Sequence, residues 1–258
     1  MNGFEQHNIT HLSASSLNLW ANDCGLWLLE KLLGHRGPPT ALMARGRAVE
    51  EGIHVGLINP DASVDDCIAQ ALGAYDREMA LVAHDRRESE RAAIPGYVTN
   101  GLPHLREYGL PTGYQERVEL RLPDVPVPVI GFIDWRFNQH RLIVDLKTSE
   151  RLPSFISPSH ARQGAIYACA HDNFAMRFAY LKPALGKKDA RAIAVYELDA
   201  KQIDRQIMAL TQIAIRLERF LRLSRDAEEL CGLVVPDFEK FVWSDPSTRA
   251  RGADVFGF

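Results

Sequence analysis

The hydrophobic period of this chain changes near residue 112: apolar positions recur at helical spacing before it and alternate, strand-like, after it. Behind a short polar lead, "SASSLNLWANDCGLWLLEKLLG" opens on serines suited to helix capping. It carries Leu17, Trp20, Leu26, Leu29 and Leu33 at helical spacing and closes at Gly34. Next, "PPTALMARGRAVEEGIHVGLI" starts at Pro39 and Thr40 and predicts a second helix. Its glycines, Gly46, Gly52 and Gly56, are unusual there, since each costs about 1 kcal/mol in a helix interior relative to alanine. They point to close packing or to the approach of a ligand, with a frayed helix end an equal explanation for the later two. From Val64 to about Glu90 the helical pattern resumes. "AIPGYVTNGLPHLREYGLPTG" is then rich in Gly and Pro and predicts a loop with at most a short helix.

Past that loop, "YQERVELRL", "VPVIGFIDWRF", "RLIVDLKTS", "FAMRFAYLK" and "RAIAVYEL" predict strands, with one helix, "SPSHARQGAIYACAHD", between the third and the fourth. An amphipathic helix follows from Asp199 to about Leu223, with Ile203, Ile207, Leu210, Ala214, Leu217 and Leu221 on one stripe. The order predicts an α/β fold: a central mixed β-sheet flanked by helices, with an N-terminal helical extension. No repeat and no Ser/Gly linker divides the chain. Residues 1–258 are therefore read as one domain, largely helical over 1–112, an α/β core over 113–225 and a tail over 226–258.

Composition adds exclusions. At 46% hydrophobic and 24% charged residues the chain has an ordinary globular make-up. Its formal net charge of -3 gives no general attraction to polyanions, so a site for one has to be a local basic patch. The four cysteines, Cys24, Cys67, Cys169 and Cys231, form no CxxC pair, which argues for reduced thiols and against a zinc module or a disulfide framework. "MNGFEQHNITHLS" has no signal pattern, and no run of ~18 apolar residues occurs, so a cytoplasmic location with no membrane partner is expected.

The chemistry lies in "GFIDWRFNQHRLIVDLKTSE", where Asp134, Asp145 and Lys147 interrupt segments that otherwise read as buried strands. Charged side chains are costly to bury unless paired or bound to a metal. Residues two apart in a strand share a face, so Asp145 and Lys147 point one way while Leu142, Val144 and Leu146 face a core on the other. A hairpin turning about Gln139 and His140, with a two- or four-residue loop, sets Asp134 directly across from Asp145. Opposed like charges destabilise a sheet, so a positive group belongs between them. A hard divalent cation held by one or two carboxylates meets that need, with Lys147 orienting or deprotonating a bound water or stabilising charge on a phosphate. Such a set suits metal-assisted phosphodiester hydrolysis. A structural ion pair between Lys147 and one acid fits the D-x-K spacing equally well.

Three motifs follow one another here: Gly131 to Asp134 as G-x-x-D, Asp145 to Thr148 as D-x-K-T, and Gln163 with Tyr167 on one face of a helix started by Ser157 and Pro158. Together they resemble the PD-(D/E)xK nuclease superfamily, specifically its RecB-like exonuclease branch with the Gln-xxx-Tyr motif. The resemblance implies a restriction-endonuclease-like core and a catalytic set of Asp134, Asp145, Lys147, Gln163 and Tyr167. It also asks for a helical metal ligand upstream, in a pattern of Gly followed four residues later by Glu or His, which Gly46 and Glu50 supply. Glu51 is the weaker candidate, about 100° away around the helix, and His54 is a supporting residue or a replacement ligand. The implied metal set is Glu50, Asp134, Asp145 and Leu146, holding one or two Mg²⁺ or Mn²⁺ ions.

Some members of that branch hold an iron-sulfur cluster on one early and three late cysteines. Here Cys24 and Cys231 lack the late companions, so no cluster is expected. There is no GxxxxGK[ST] and hence no helicase motor of its own; the format is similar to that of stand-alone phage recombination exonucleases. DNA contacts are expected from Arg45, Arg47, Thr148, Ser149, Gln163 and Tyr167, and from Lys182, Lys187, Lys188 and Arg191 around the last strand turn. Trp20, Trp135 and Tyr167 could stack on bases, with core packing the competing role for the tryptophans. The expectation is a metal-dependent DNA exonuclease serving recombination or repair. A structure-specific endonuclease or nickase, and a non-catalytic DNA-binding protein, are the alternatives. The expected partners are DNA, a single-strand-annealing or recombination protein, and further copies of the chain.

Overall fold

The computed structural model describes residues 1–183 and 191–257. It begins with short elements: α1 (Gly3–Gln6), β1 (Leu12–Ser13), α2 (Ala14–Asn22) and α3 (Cys24–Trp27), the last running on as a π-helical turn over Leu28–Leu32. The continuous helix expected up to Gly34 is thus broken at Asp23. Its backbone is extended, and its buried carboxylate accepts from the Leu26 N–H at 2.9 Å, the Trp243 indole N–H at 3.3 Å and the Lys240 ammonium at 3.3 Å. A buried carboxylate with three donors outweighs one turn of helix continuity.

Helices α4 (Ala41–Ile58), α5 (Val64–Met79) and α6 (Arg87–Arg106) form a layer on one face of the sheet, α4 capped by Thr40 as expected. The glycine question divides. A Cβ on Gly52 would meet the Cys67 carbonyl oxygen at 2.6 Å and one on Gly56 the Leu102 side chain at 2.7 Å, so these are close-packing positions. Gly46 is open, its nearest neighbour being Thr148 Oγ1 at 3.5 Å. Helix α6 overturns the expected loop: the Gly- and Pro-rich stretch is helical through Arg106, with Pro95 and Pro103 inside the helix. Ile94, Tyr97, Val98, Leu102 and Leu105 are all buried on it. At roughly 1.5–3 kcal/mol for each large apolar side chain, that burial exceeds about 3 kcal/mol per proline.

Among the described residues the sheet is six-stranded and mixed. To β1 it adds β2 (Gly113–Leu120), β3 (Val129–Phe137), β4 (Leu142–Thr148), β5 (Ala175–Leu181) and β6 (Ile193–Glu197). β3 is antiparallel to β2 and β4, and β5 to β6; β4 and β5 are parallel, joined through the crossover helix α7 (Pro158–Ala170). β1 pairs in parallel with the start of β3, so the N-terminal part supplies a strand as well as helices. α7 and α8 (Ala200–Leu221) cover the second face. Two cores result. Trp135, Phe137, Leu142, Val144 and Leu146 pack beneath α4 to α6, and Ile133, Ile143, Met176 and Phe178 beneath α7 and α8. The tail is structured too: α9 (Ala227–Cys231) and α10 (Pro246–Phe256) flank Trp243, which is fully buried against Leu26 and Leu29.

Candidate active site

The β3–β4 hairpin turns through residues 138–141, ending on Arg141 in the left-handed region at φ 47°. Phe137 stands opposite Leu142, Arg136 opposite Ile143 and Trp135 opposite Val144, the register expected from the sequence. Asp134 and Asp145 are next in line, and there the ladder stops. β2 likewise pairs with β3 on both sides of Asp134 but not at it, and Gln115, the residue due opposite, takes φ 48°. In place of a ladder bond, Asp134 Oδ2 accepts from the Leu146 N–H at 2.7 Å. The distortion reverses the facing of β3: Ile133 lies in the core under α7 and α8, Trp135 and Phe137 in the core under α4 to α6.

Asp145 is fully buried, with the Lys147 ammonium 2.6 Å from Oδ2 as an ion pair. Among the described residues no donor makes a well-directed hydrogen bond to either of its oxygens. Lys147 Nζ also donates to Gln163 Oε1 at 3.0 Å, and Gln163 Nε2 donates to the Tyr167 hydroxyl at 2.8 Å. The acid, the lysine and both residues of the helical motif therefore form one connected chain. Gly131 makes room for it, because a Cβ there would sit 2.6 Å from the Tyr167 ring. Ser157 caps α7 and Pro158 occupies its first turn, which presents Gln163 and Tyr167 to the sheet.

Glu50 comes to the same place from α4, hydrogen-bonded by Gln115 and Tyr114. Burial raises the Glu50 carboxyl above its ordinary range, and the charge of Asp145 adds to the shift. Asp134 is pushed well up, first by burial, then by Asp145 and Glu50. Asp145 is raised by burial against the opposing pull of Lys147. Burial works against the Lys147 charge, but Asp145, Asp134 and Glu50 together raise its pKa. The site thus carries three carboxylates against one ammonium, an excess of buried negative charge.

The remaining sequence candidates separate cleanly. Glu51 turns to Gln70 at 2.7 Å and Arg77 at 3.0 Å, away from the aspartates. His54 stacks on Tyr114 at 3.5 Å and accepts from the Trp135 indole at 3.3 Å, bracing the ring that holds Glu50. The Leu146 side chain is in the core, so only its main chain could serve an ion. Arg45 requires correction as a DNA contact: it is 3% exposed, ion-paired with Glu90, and donates to Thr148 O and Oγ1 at 3.3 Å. Its guanidinium is a buried tie between α4, α6 and β4. Arg47 is half-exposed and paired with Glu78. Thr148 and Ser149 are partly buried at the end of β4, where the Ser149 carbonyl accepts from Tyr97 at 3.0 Å. Trp135 is fully buried and Trp20 packs on Trp27 and Phe220, so both tryptophans take the packing role. Lys187 and Lys188 lie outside the described residues, Lys182 and Arg191 at their margins.

A cleft of about 930 Å³ opens beside Lys147, Gln163 and Tyr167, between α2 and the first turns of α7. It is also lined by Phe132, Asn18 and Arg162, none of which sequence reasoning selected. Phe132 lies inside G-x-x-D and Arg162 directly before the Gln of the helical motif, which is the one signal that could have found them. Tyr114 and Gln115, the partners of Glu50, lie in a strand whose distortion has no sequence signature.

No protein-family model matches the chain, and no curated protein matches it. Among solved structures, the crystal structure of a "Putative exonuclease" from Eubacterium rectale is similar at 14% identity, with a TM-score of 0.56 over 92% of this chain and 88% of that one. The two chains share a fold. The crystal structure of SSO0001 matches more loosely, at 17% identity over 67% of this chain and 85% of that one, with a TM-score of 0.34. No described helix is long and apolar enough to cross a membrane.

Among the described residues no three His, Cys, Asp or Glu side chains stand together in a ready-made cage for an ion. Mg²⁺ does not require one, since it is commonly bound by one or two carboxylates together with water and phosphate oxygens. Asp145, whose two buried oxygens meet only the Lys147 ammonium among the described residues, and Asp134 beside it fit that donor set. Glu50, engaged by Gln115 and Tyr114, would complete it from α4.

Proposed function

We propose that this chain is a metal-dependent deoxyribonuclease, acting as an exonuclease in DNA recombination or repair. The observation that carries the reading is the excess of buried carboxylate around the Asp145–Lys147–Gln163–Tyr167 chain, open on one side to a cleft. The fold shared with a chain described as a "Putative exonuclease" supports it. Asp134, Asp145 and Glu50 would hold Mg²⁺ or Mn²⁺, which offsets their repulsion and supplies charge stabilisation and an acidified water at a scissile phosphate.

The side chains have separate tasks on this reading. Lys147 is kept charged by the surrounding carboxylates, which suits it to stabilise charge developing on a phosphate rather than to take a proton. Gln163 fixes the direction of that ammonium, and Tyr167 fixes Gln163. Burial of Asp145 keeps bulk water away and strengthens each of these interactions.

The test uses linear duplex and single-stranded DNA, labelled at the 5′ or the 3′ end and incubated with Mg²⁺ or Mn²⁺. Wild type should shorten DNA progressively from one end, leave covalently closed circles intact, and lose at least about a hundredfold in rate on Asp145→Ala or Lys147→Ala. Cutting of closed circles would replace the exonuclease reading by an endonuclease. Equal degradation by all three proteins would remove the proposed site.

A further inference from the structure

We propose that Tyr114 and Gln115 are positioning residues for Glu50: together they hold its carboxylate toward Asp134 and Asp145, and the left-handed backbone of Gln115 is what lets both reach it. The proposal rests on the reading of Glu50 as a metal ligand and goes beyond it by assigning what fixes that ligand.

Neighbouring residues of a strand point to opposite faces of the sheet. Tyr114 and Gln115 are neighbours in β2, yet the Tyr114 hydroxyl and the Gln115 amide both donate to the Glu50 carboxylate on α4. The backbone of Gln115 makes this possible. Its φ of 48° is left-handed, a conformation costly for any residue with a Cβ. The flanking pairs, Tyr114 with Trp135 and Glu116 with Ile133, keep one register, so no residue is inserted and the departure is confined to Gln115. A residue in such a conformation persists only where its surroundings hold it. The bond to Glu50 is the contact that the Gln115 side chain gains there.

Tyr114 is itself held on both sides. Its ring lies parallel to His54, with centroids 3.5 Å apart and planes 7° apart, and beside Trp135 at 6.3 Å and 23°. The Trp135 indole donates to His54 Nδ1 at 3.3 Å, which ties the two flanking rings to each other. His54 follows Glu50 by one turn of α4, so the helix that carries the carboxylate also carries the ring that aims the hydroxyl toward it.

The same departure serves Asp134, the residue due opposite Gln115. The β2 ladder skips it, and its carboxylate accepts from the Leu146 N–H at 2.7 Å. One left-handed residue thus arranges two of the three carboxylates. Hydrogen bonds to a metal-ligating side chain fix its orientation, and their loss costs about 10–100-fold in metal affinity.

The experiment is titration of Mn²⁺ into the full chain without DNA, with the free ion read by electron paramagnetic resonance. Tyr114→Phe keeps the stacked ring and removes the hydroxyl; Gln115→Met keeps the side-chain length and removes the amide. Each should weaken Mn²⁺ binding about tenfold or more. On a Glu50→Ala background neither should weaken it further by more than about twofold, because the group they hold is already gone. A general structural role would not produce that non-additivity. Melting curves in EDTA show that each variant is folded. Tyr114→Phe and Gln115→Met both binding like wild type while Glu50→Ala is weakened, or the same tenfold losses on the Glu50→Ala background, would overturn the positioning role and leave Glu50 as a ligand. A wild type that takes up no Mn²⁺, or Glu50→Ala binding as tightly as wild type, would overturn the metal set itself and this proposal with it.

Discussion

Asp134→Asn should stabilise the metal-free protein. Asparagine keeps the shape of the side chain and an oxygen to accept from the Leu146 N–H, now at 2.7 Å, and removes only the charge. The charges of Asp145 and Glu50 both push the Asp134 carboxyl up, an effect that acts over about 4–6 Å. Two carboxylates near 5 Å apart at an effective dielectric of about 20 repel by roughly 3 kcal/mol. Lys147 lies against Asp145 and offsets part of this, leaving a gain of about 2 kcal/mol, within the range found when buried charges are replaced. Because burial and neighbouring acids raise the Asp134 pKa, its contribution is fully present below the ordinary carboxylate pKa near 4 and is lost as pH rises through the raised value. The advantage of asparagine therefore appears at pH 7 and vanishes below about pH 4. For a chain of this size it corresponds to about 4–8 °C in melting temperature, read by calorimetry in EDTA. Added Mg²⁺ should then raise the wild-type midpoint but not that of the variant. A variant that melts at or below wild type in EDTA at pH 7 would refute the charge-excess reasoning.

Arg45→Met should cost about 3 kcal/mol in urea denaturation, since it leaves the buried Glu90 with Arg86 as its ion-pair partner among the described residues, whereas Arg47→Ala should change stability by less than about 1 kcal/mol. Similar small effects for both would restore Arg45 as a surface residue. Gly131→Ala should destabilise by about 1–3 kcal/mol by driving a Cβ into the Tyr167 ring. Gly46→Ala, with 3.5 Å to its nearest neighbour, should be neutral or stabilising by up to about 1 kcal/mol; the reverse order in thermal melts would contradict the packing described. His160 bonds to Tyr180 at 2.9 Å, and its pKa is lowered to about 4 by burial and by Lys147. Its neutral form stabilises the fold above the unfolded value near 6.5, and this is lost as pH falls through about 4. Between pH 7 and 4, His160→Asn should therefore flatten the decline in stability by about 2 to 3 kcal/mol; an unchanged slope would place the titration elsewhere.

Much of the core was legible because local rules and burial agree there. The hairpin register from Trp135 to Phe137 followed from a turn centred on Gln139 and His140, and Thr40, Ser157 and Asp199 cap the helices their chemistry marks. Helix α6 was not legible, since Pro95 and Pro103 signal a break and only tertiary burial of Tyr97, Leu102 and their neighbours outweighs it. The break at Asp23 depends on Trp243 and Lys240, which come from the far end of the chain. At the site, the motif pattern led to Asp134, Asp145, Lys147, Gln163 and Tyr167, which the fold brings together, and to Glu50 close by. It also led to Arg45, because an arginine beside a glycine on a helix looks exposed until Glu90, distant in sequence, is folded against it. The β1 pairing and the bend at Gln115 were hidden for the same reason: each is fixed by β3 and not by its own neighbours.

The central claim is that Asp145 and Lys147 form a hydrolytic centre and not a structural ion pair. Its most direct test is the rate of Mg²⁺-dependent shortening of end-labelled linear DNA by wild type, Asp145→Asn and Lys147→Met, with melting curves beside each. The account predicts folded variants that have lost at least about a hundredfold in rate. Folded variants that cut DNA at the wild-type rate, or a wild type inert with Mg²⁺ and Mn²⁺ alike, would contradict it.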